Sequence, residues 1–217
     1  YRQVARAKAS EQTARAIQDA VFSLWRERDI EDVTLAEIAE RAGVTLQTVL
    51  RRFGSKQGLF DRCLEAKKNE ITDLRSRAPT GDVRAAIRVL LSHYERDGAS
   101  VLRALRAEGR SEIANRIVTR GRQEHRRWCA RVFGPFLSAP RRAGYASRLD
   151  AFVAATDIYV WKLLRLDLAR SEAQTQRAVE TLVSALANAP QQQAAPRGNN
   201  RTNQRPVRSL RPTQMGQ

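Results

Sequence analysis

The sequence predicts an all-α fold, and three observations support that prediction. Apolar residues recur at steps of three and four in one segment after another along the 217 residues. Signals for helix starts and stops separate these segments. No segment alternates apolar and polar residues for more than a few positions, as a half-buried strand would. Because 42% of the residues are hydrophobic, the chain can bury one sizeable core or two small ones.

Charge and cysteine content narrow the class of protein. The formal charge of +16 attracts polyanions, but residues 1–60 carry 10 Lys and Arg against 8 Asp and Glu, so charge alone does not locate a binding segment. Cys63 and Cys129 stand far apart without a metal-binding motif, which favours a reducing cytoplasm and no metal site. Charged residues interrupt the longest apolar stretch, and no secretory signal is visible, so we expect a cytoplasmic protein without a membrane partner.

The first helix is predicted from Thr13 to Arg28, where apolar residues recur at helical spacing between charged ones. The preceding segment, residues 1–12, contains Arg2, Arg6 and Lys8. We expect it to be a flexible basic arm that reaches along a DNA groove, or simply a frayed terminus.

Two short helices are predicted next, joined by a glycine turn. Thr34 precedes Leu-Ala-Glu, so its hydroxyl and the Glu37 carboxylate can cap the helix start reciprocally. Gly43 ends that helix, and Thr45 is an N-cap for a second helix from Leu46 to about Phe53. This arrangement predicts a helix-turn-helix.

The residues of this motif resemble the signature of the tetracycline-repressor (TetR) family. The resemblance rests on Thr34 to Thr45 (TLAEIAERAGVT), Thr48 to Lys56 (TVLRRFGSK) and Leu59-Phe60, and Thr156 to Leu168 looks like the penultimate helix of many members. It implies a three-helix N-terminal DNA-binding domain and a divergent C-terminal helical domain for ligand binding and dimerisation, about nine helices in all. Leu50 stands where many members have a tyrosine that holds the DNA backbone, so that contact is in doubt.

On this resemblance the chain divides into four parts. They are the basic arm (1–12), the helix-turn-helix DNA-binding domain (13–55), a helical regulatory and dimerisation domain (56–189) and a tail of Arg, Gln, Asn and Pro (190–217). The tail has few apolar residues, so it is predicted to be disordered, and its arginines can add non-specific affinity for DNA.

Periodicity and breaks place the remaining helices. A helix is expected from Lys56 to about Ser76, and in family members this helix conveys ligand-driven movement to the DNA-binding heads. Further helices are predicted at about 82–97, 100–109, 111–136, 146–169 and 171–188.

The helix beginning at Leu46 is expected to enter the major groove. Gln47 suits adenine and Arg51 suits guanine, so we expect these two side chains to read bases. Phosphate contacts are expected from the threonines and Lys56, which lies at the start of a helix with free amides. The complete predicted DNA-binding set is Thr34, Thr45, Leu46, Gln47, Thr48, Arg51, Arg52 and Lys56. The alternative is an ordinary solvated, basic helix face.

A small-molecule effector site is predicted where polar residues interrupt apolar helix faces. The candidates are His93, Gly121, His125, Trp128, Asp157 and Trp161. Gly121 leaves room beside a helix for a neighbour or a ligand, and Asp157 can orient a polar or cationic one. The alternatives are satisfied core histidines, a packed tryptophan and a salt bridge from the aspartate.

The last two helices carry wide apolar faces, which predict a homodimer with a four-helix interface. The predicted interface residues are Phe152, Val160, Leu163, Leu164, Val179, Leu182, Val183 and Leu186. Burial inside the monomer is the alternative.

Together these features predict a ligand-responsive repressor that binds a palindromic operator in double-stranded DNA as a homodimer and leaves it when an effector binds. A helical enzyme is disfavoured, because the chain has no His-Glu-x-x-His, no glycine-rich phosphate loop and no nucleophile elbow, so no catalytic residue or cofactor is predicted. A sequence-independent architectural DNA-binding protein stays open as the second interpretation.

Overall fold

The computed structural model describes residues 2–140 and 144–190, and these residues form helices joined by turns, without a strand. The α-helices are α1 (Arg2–Glu27), α2 (Leu35–Arg41), α3 (Leu46–Phe53), α4 (Lys56–Ser76), α5 (Val83–Ala107), α6 (Glu112–Val132), α7 (Tyr145–Ala155), α8 (Ile158–Lys162) and α9 (Glu172–Asn188). The predicted all-α fold is confirmed. The tail predicted to be disordered lies outside the described residues from position 191 onward.

Helix α1 begins at Arg2, far earlier than the predicted start at Thr13. The expectation of a flexible arm is therefore wrong for residues 2–12. This segment is rich in Ala, Arg, Gln and Lys, which favour a helix even without burial. Its end also contacts α3, because Arg52 Nη2 donates a hydrogen bond to Ser10 Oγ at 2.8 Å.

Helices α2 and α3 form the predicted helix-turn-helix. The Glu37 amide donates to Thr34 Oγ1 at 3.2 Å, and the Thr34 amide donates to Glu37 Oε2 at 2.8 Å, which is the predicted reciprocal cap. Gly43 adopts a φ of +64°, a conformation that favours glycine in the turn. Ile38 and Val49 are fully buried between the helices, so the opposite face of α3 is left to solvent.

Helix α5 runs through Gly98, so the predicted division into 82–97 and 100–109 is wrong. A Cβ atom on Gly98 would lie 2.7 Å from two ring atoms of Trp161. The glycine therefore allows the indole to pack against the α5 backbone. We attribute the helical conformation at Gly98 to this tertiary contact, which offsets the modest helix propensity of glycine.

The helix predicted over 146–169 is interrupted after α7. Thr156 Oγ1 donates back to Phe152 O at 2.6 Å, and Asp157 caps α8 by accepting from the Tyr159 amide at 2.9 Å. Helix α8 continues directly into a π-helical turn, Leu163–Asp167. The helix predicted over 111–136 likewise ends at Val132, before a 3₁₀ turn that contains Pro135.

Two apolar clusters hold the described part of the chain together. The first cluster is formed by helices α1, α2, α3 and α4, and it extends to Ala104, Ile113 and Val118 of α5 and α6. The second cluster is formed by helices α5, α6, α7, α8 and α9. Cys63 lies in the first cluster and Cys129 in the second, and both are free and buried. None of the helices described here is long and apolar enough to span a membrane.

Candidate functional site

The solvent face of α3 presents Gln47 and Arg51, which lie one helical turn apart. Both side chains are exposed, and neither has a side-chain hydrogen bond or ion pair within the described part of the chain. Leu46, in the first turn, is 42% exposed. The buried Val49 holds this helix against the core, so two polar side chains and one apolar side chain are available for contacts.

The three predicted threonines lie at helix starts. Thr34 is the N-cap of α2, and Thr45 is the N-cap of α3. Thr45 Oγ1 accepts from the Thr48 amide at 3.2 Å and lies 2.9 Å from Thr48 Oγ1. These hydroxyls therefore stabilise the two helices, and they also lie beside the free amides of the first helical turns.

Arg52 and Lys56 are engaged with the protein. Arg52 contacts Ser10 in α1, as described above. Lys56 Nζ donates to Glu31 O at 2.8 Å and lies 5.8 Å from the centre of the Phe60 ring. Both cations would have to exchange these contacts to hold phosphates.

A cavity of about 650 Å³ lies between α1, α4, α5, α6 and the junction of α7 with α8. Five of the six predicted ligand-site residues line it: His93, Gly121, His125, Trp128 and Asp157. Trp161 lies outside its wall, which corrects that prediction. Its ring packs on Gly98, and its Nε1 donates to Glu95 Oε1 at 2.8 Å.

Arg75, in the last turn of α4, is the centre of the polar part of this cavity. Its side chain is buried, and it donates to His125 Nδ1 at 3.3 Å and to His93 Nδ1 at 3.1 Å. A guanidinium offers only donors, so both Nδ1 atoms accept and both imidazoles carry their proton on Nε2. Arg75 was not among the predicted site residues, because nothing in its local pattern separates it from the other arginines of the chain.

Both histidines are neutral at physiological pH. Burial, assisted by the charge of Arg75, lowers the pKa of His93 to about 3 and the pKa of His125 to about 3. The remaining contacts of His125 fit this state, because its Nε2 lies 3.1 Å from Thr156 Oγ1. The histidines therefore hold Arg75 through their lone pairs and add no charge of their own.

Further hydrogen bonds connect this cluster to the surrounding helices. Trp128 Nε1 donates to Arg75 O at 3.1 Å, which joins α6 to the end of α4. The Tyr94 hydroxyl donates to Thr156 O at 2.9 Å, which joins α5 to the turn after α7. The end of α4 is thus fixed by contacts with the cavity wall.

The predicted dimer surface is only partly available. Phe152, Val179 and Val183 are buried in the second cluster, so their prediction as interface residues is wrong; the phase of α7 and α9 turns them inward. Leu163 and Leu182 are exposed, each by 49%. The other three are partly buried: Val160, Leu164 and Leu186. Further exposed apolar side chains lie nearby in sequence: Tyr159, Leu166 and Leu168.

Comparison with known proteins identifies the N-terminal region. Residues 17–63 match the family model of bacterial regulatory proteins, tetR family. No curated protein matches the sequence.

A solved structure of a transcriptional regulator resembles the fold over most of the chain. A transcriptional regulator from Rhodococcus sp. Rha1 is 17% identical, with a TM-score of 0.62 over 80% of this chain and 95% of that chain. A TetR-family regulator from Streptomyces coelicolor A3 is 19% identical, with a TM-score of 0.49 over 82% of this chain and 96% of that chain. The matched segment 17–63 contains the capped helix-turn-helix of α2 and α3, so this part of the chain carries the DNA-binding domain of bacterial regulatory proteins of the tetR family.

Proposed function

We propose that this regulator is a homodimeric repressor that binds a palindromic operator and is released by a small-molecule effector. The observation that carries the DNA-binding part is the solvent face of α3, where Gln47 and Arg51 are exposed and free of side-chain partners in the described residues. Glutamine can form two hydrogen bonds with adenine, and arginine can form two with guanine. Each such pair contributes roughly 1–3 kcal/mol of discrimination between bases.

Other residues of the head fit a supporting role in DNA binding. The exposed Leu46 side chain suits contact with a thymine methyl group. Thr34, Thr45 and Thr48 lie at helix starts that suit phosphate oxygens, and we propose that Arg52 and Lys56 join them when DNA is bound. These contacts would position the head without reading sequence.

The dimer is proposed from the apolar surface that the monomer leaves exposed. Leu163, Leu166 and Leu168 lie in and after the π-helical turn, which packs against α9, where Leu182 is exposed. A second copy of this surface would bury these side chains around a twofold axis. Two heads placed about one turn of DNA apart would then read a palindrome.

Effector release is proposed through α4. This helix begins against α3 and ends at the cavity, and its 21 residues span about 30 Å. Arg75, near its end, is held by the two histidines of the cavity wall. A ligand that displaces these contacts would move α4 and with it the proposed DNA-binding domain of residues 13–55, relative to the regulatory domain of residues 56–189.

The test is selection of bound DNA from a random duplex library at about 150 mM salt, since non-specific binding weakens as salt rises. The intact protein is compared with the double variant Gln47→Ala/Arg51→Ala, and Arg88→Ala, an exposed charge on α5, is the matched control. We expect a palindrome that the intact protein and the control enrich and the double variant does not. Binding without enrichment, equal in all three proteins, would instead support the architectural DNA-binding protein.

A further inference from the structure

Arg75 is the only Lys or Arg that the fold buries within the described residues. No carboxylate oxygen of those residues lies within 4.0 Å of its guanidinium, and its Nε–H has no hydrogen-bond partner among them. A buried charge is costly unless it is paired and hydrogen-bonded. The fold therefore leaves this buried positive charge on the cavity wall without an opposite charge.

Two carboxylates of this region, those of Asp97 and Glu70, are already balanced by other cations. Asp97 pairs with Lys67 at 2.9 Å and with Arg96 at 2.7 Å. Glu70 pairs with the same two cations, at 3.1 Å and 2.6 Å. These two acids and two bases compensate one another, so within the cluster of these four side chains and Arg75 the excess charge is the single charge of Arg75.

The groups that do contact Arg75 orient it without neutralising it. His93 and His125 accept its hydrogen bonds as neutral imidazoles. Its guanidinium carbon lies 5.5 Å from the centre of the Trp128 ring and 5.8 Å from that of Tyr94, within the range of cation–π contacts. The guanidinium is held in place from several sides, and what it lacks is an anion.

Most of the remaining cavity wall is apolar. It includes side chains from α1, α4, α5 and α6: Phe22, Leu64, Ile71, Val101, Leu105 and Ile117. A volume of about 650 Å³ is in the range of sites for drug-sized molecules. Such walls favour a ligand whose body is apolar and whose charge is confined to one end.

We propose that the effector is an apolar monoanion, a carboxylic acid with an aromatic or aliphatic body, whose carboxylate binds Arg75 inside the cavity. The inference rests on the proposed function, because it takes this cavity as the effector site. The Nε–H lacks a partner but is itself buried, so the side chain has to turn toward the cavity to present this donor to the carboxylate. Arginine pairs well with planar anions. A phosphate dianion would bring two charges to a cluster with an excess of one, so a carboxylate is the better match.

The experiment uses matched pairs of acids and their primary amides: benzoate and benzamide, 2-naphthoate and 2-naphthamide, decanoate and decanamide. Binding to the full chain is measured by calorimetry and by the shift of the melting temperature at pH 7.5. We expect at least one acid to bind, and its amide, which has the same shape without the charge, to bind at least tenfold more weakly.

Three variants test whether Arg75 causes the tighter binding of the acid relative to its amide. Arg75→Gln removes the charge and should abolish the preference, whereas Arg75→Lys keeps the charge without the planar fork and should retain a weakened preference. Arg127→Gln is the matched control, because Arg127 also borders the cavity but is exposed and paired with Glu124. It should change the preference less than twofold. Circular dichroism verifies folding, and if Arg75→Gln does not fold, Arg75→Lys carries the comparison.

The proposal is overturned if no acid binds, if the amides bind as well as the acids, or if the Arg75 variants bind the acid as the intact protein does. The DNA selection above is scored separately. A selected palindrome without acid binding would overturn this inference alone. Acid binding without any DNA preference would overturn the repressor function and leave the Arg75 site intact.

Discussion

The helix-turn-helix head, taken as the matched residues 17–63, and the cavity region differ in the kinds of side chain that they bury. The head buries only apolar side chains, and its polar groups face solvent or cap helices. All buried polar and charged residues of the described part lie at position 75 or beyond: Arg75, His93, Asp97, Ser111, His125, Thr156 and Thr175. Four of these seven, Arg75, His93, Asp97 and His125, line the cavity, and because incompletely paired buried polar groups lower stability, this grouping supports the proposed ligand site.

The largest effect is expected from a change in the apolar core of the head. Phe60 is 1% exposed and packs in the first cluster, so Phe60→Ala should lower the free energy of unfolding by about 3–5 kcal/mol. Urea denaturation followed by circular dichroism measures this change. The control is Leu46→Ala, at an exposed position of the same head, which should change it by less than about 0.5 kcal/mol. Equal effects of the two substitutions would show that apolar burial is not the main contribution to the stability of the head.

The cavity region should make stability depend on pH between 7.5 and 5.5. His93 and His125 are the only histidines of the chain, and burial lowers the pKa of each from 6.5 to about 3. Below pH 6.5 the unfolded chain therefore binds protons that the folded chain does not, so stability falls as the pH falls. The loss over this interval should be about 2–3 kcal/mol for the pair, at roughly 1.4 kcal/mol per group and pH unit.

Urea denaturation at a series of pH values checks this dependence. The single variants His93→Gln and His125→Gln should each remove about half of it. The interval lies above the ordinary pKa of Asp and Glu, so the histidines account for the expected change. A free energy of unfolding that stays constant from pH 7.5 to 5.5 would contradict the neutral, buried state of the two side chains.

The two regions also differ in how far the sequence predicted them. The head follows local signals: Thr34 with Glu37 predicts the cap, and Gly43 predicts the turn. Arg75 could not be predicted in this way, because its partners His93 and His125 lie 18 and 50 residues further along the chain. Which side chains lie around a cavity depends on tertiary packing, and periodicity along one helix carries no information about that.

The same limit explains the errors at the last helices. Apolar periodicity marked a wide face on the helices that became α7 and α9, but it does not say which part of that face the chain itself covers. The structure turns Phe152 and Val183 to the core and leaves Leu163 and Leu182 exposed. Periodicity therefore predicted the helices and their apolar character, whereas the surface open to a partner required the fold.

The smallest change in the free energy of unfolding is expected at Gly121 in α6, and it contrasts with the change expected at a second helical glycine, Gly98 in α5. A Cβ atom at Gly121 would meet nothing within 4 Å, so Gly121→Ala should raise the free energy of unfolding by about 0.5–1 kcal/mol through the better helix propensity of alanine. Gly98→Ala should lower it by about 1–3 kcal/mol, because the added Cβ would overlap the Trp161 ring at 2.7 Å.

Thermal and urea denaturation of the two variants should give opposite signs if the cavity is open beside Gly121 and α5 is closely packed against Trp161 at Gly98. A destabilising Gly121→Ala would mean that a neighbouring group fills the space beside α6, and the cavity would then be too small for the proposed acid. The expected signs would instead show that the space beside Gly121 accepts volume, which is a property that a ligand site needs.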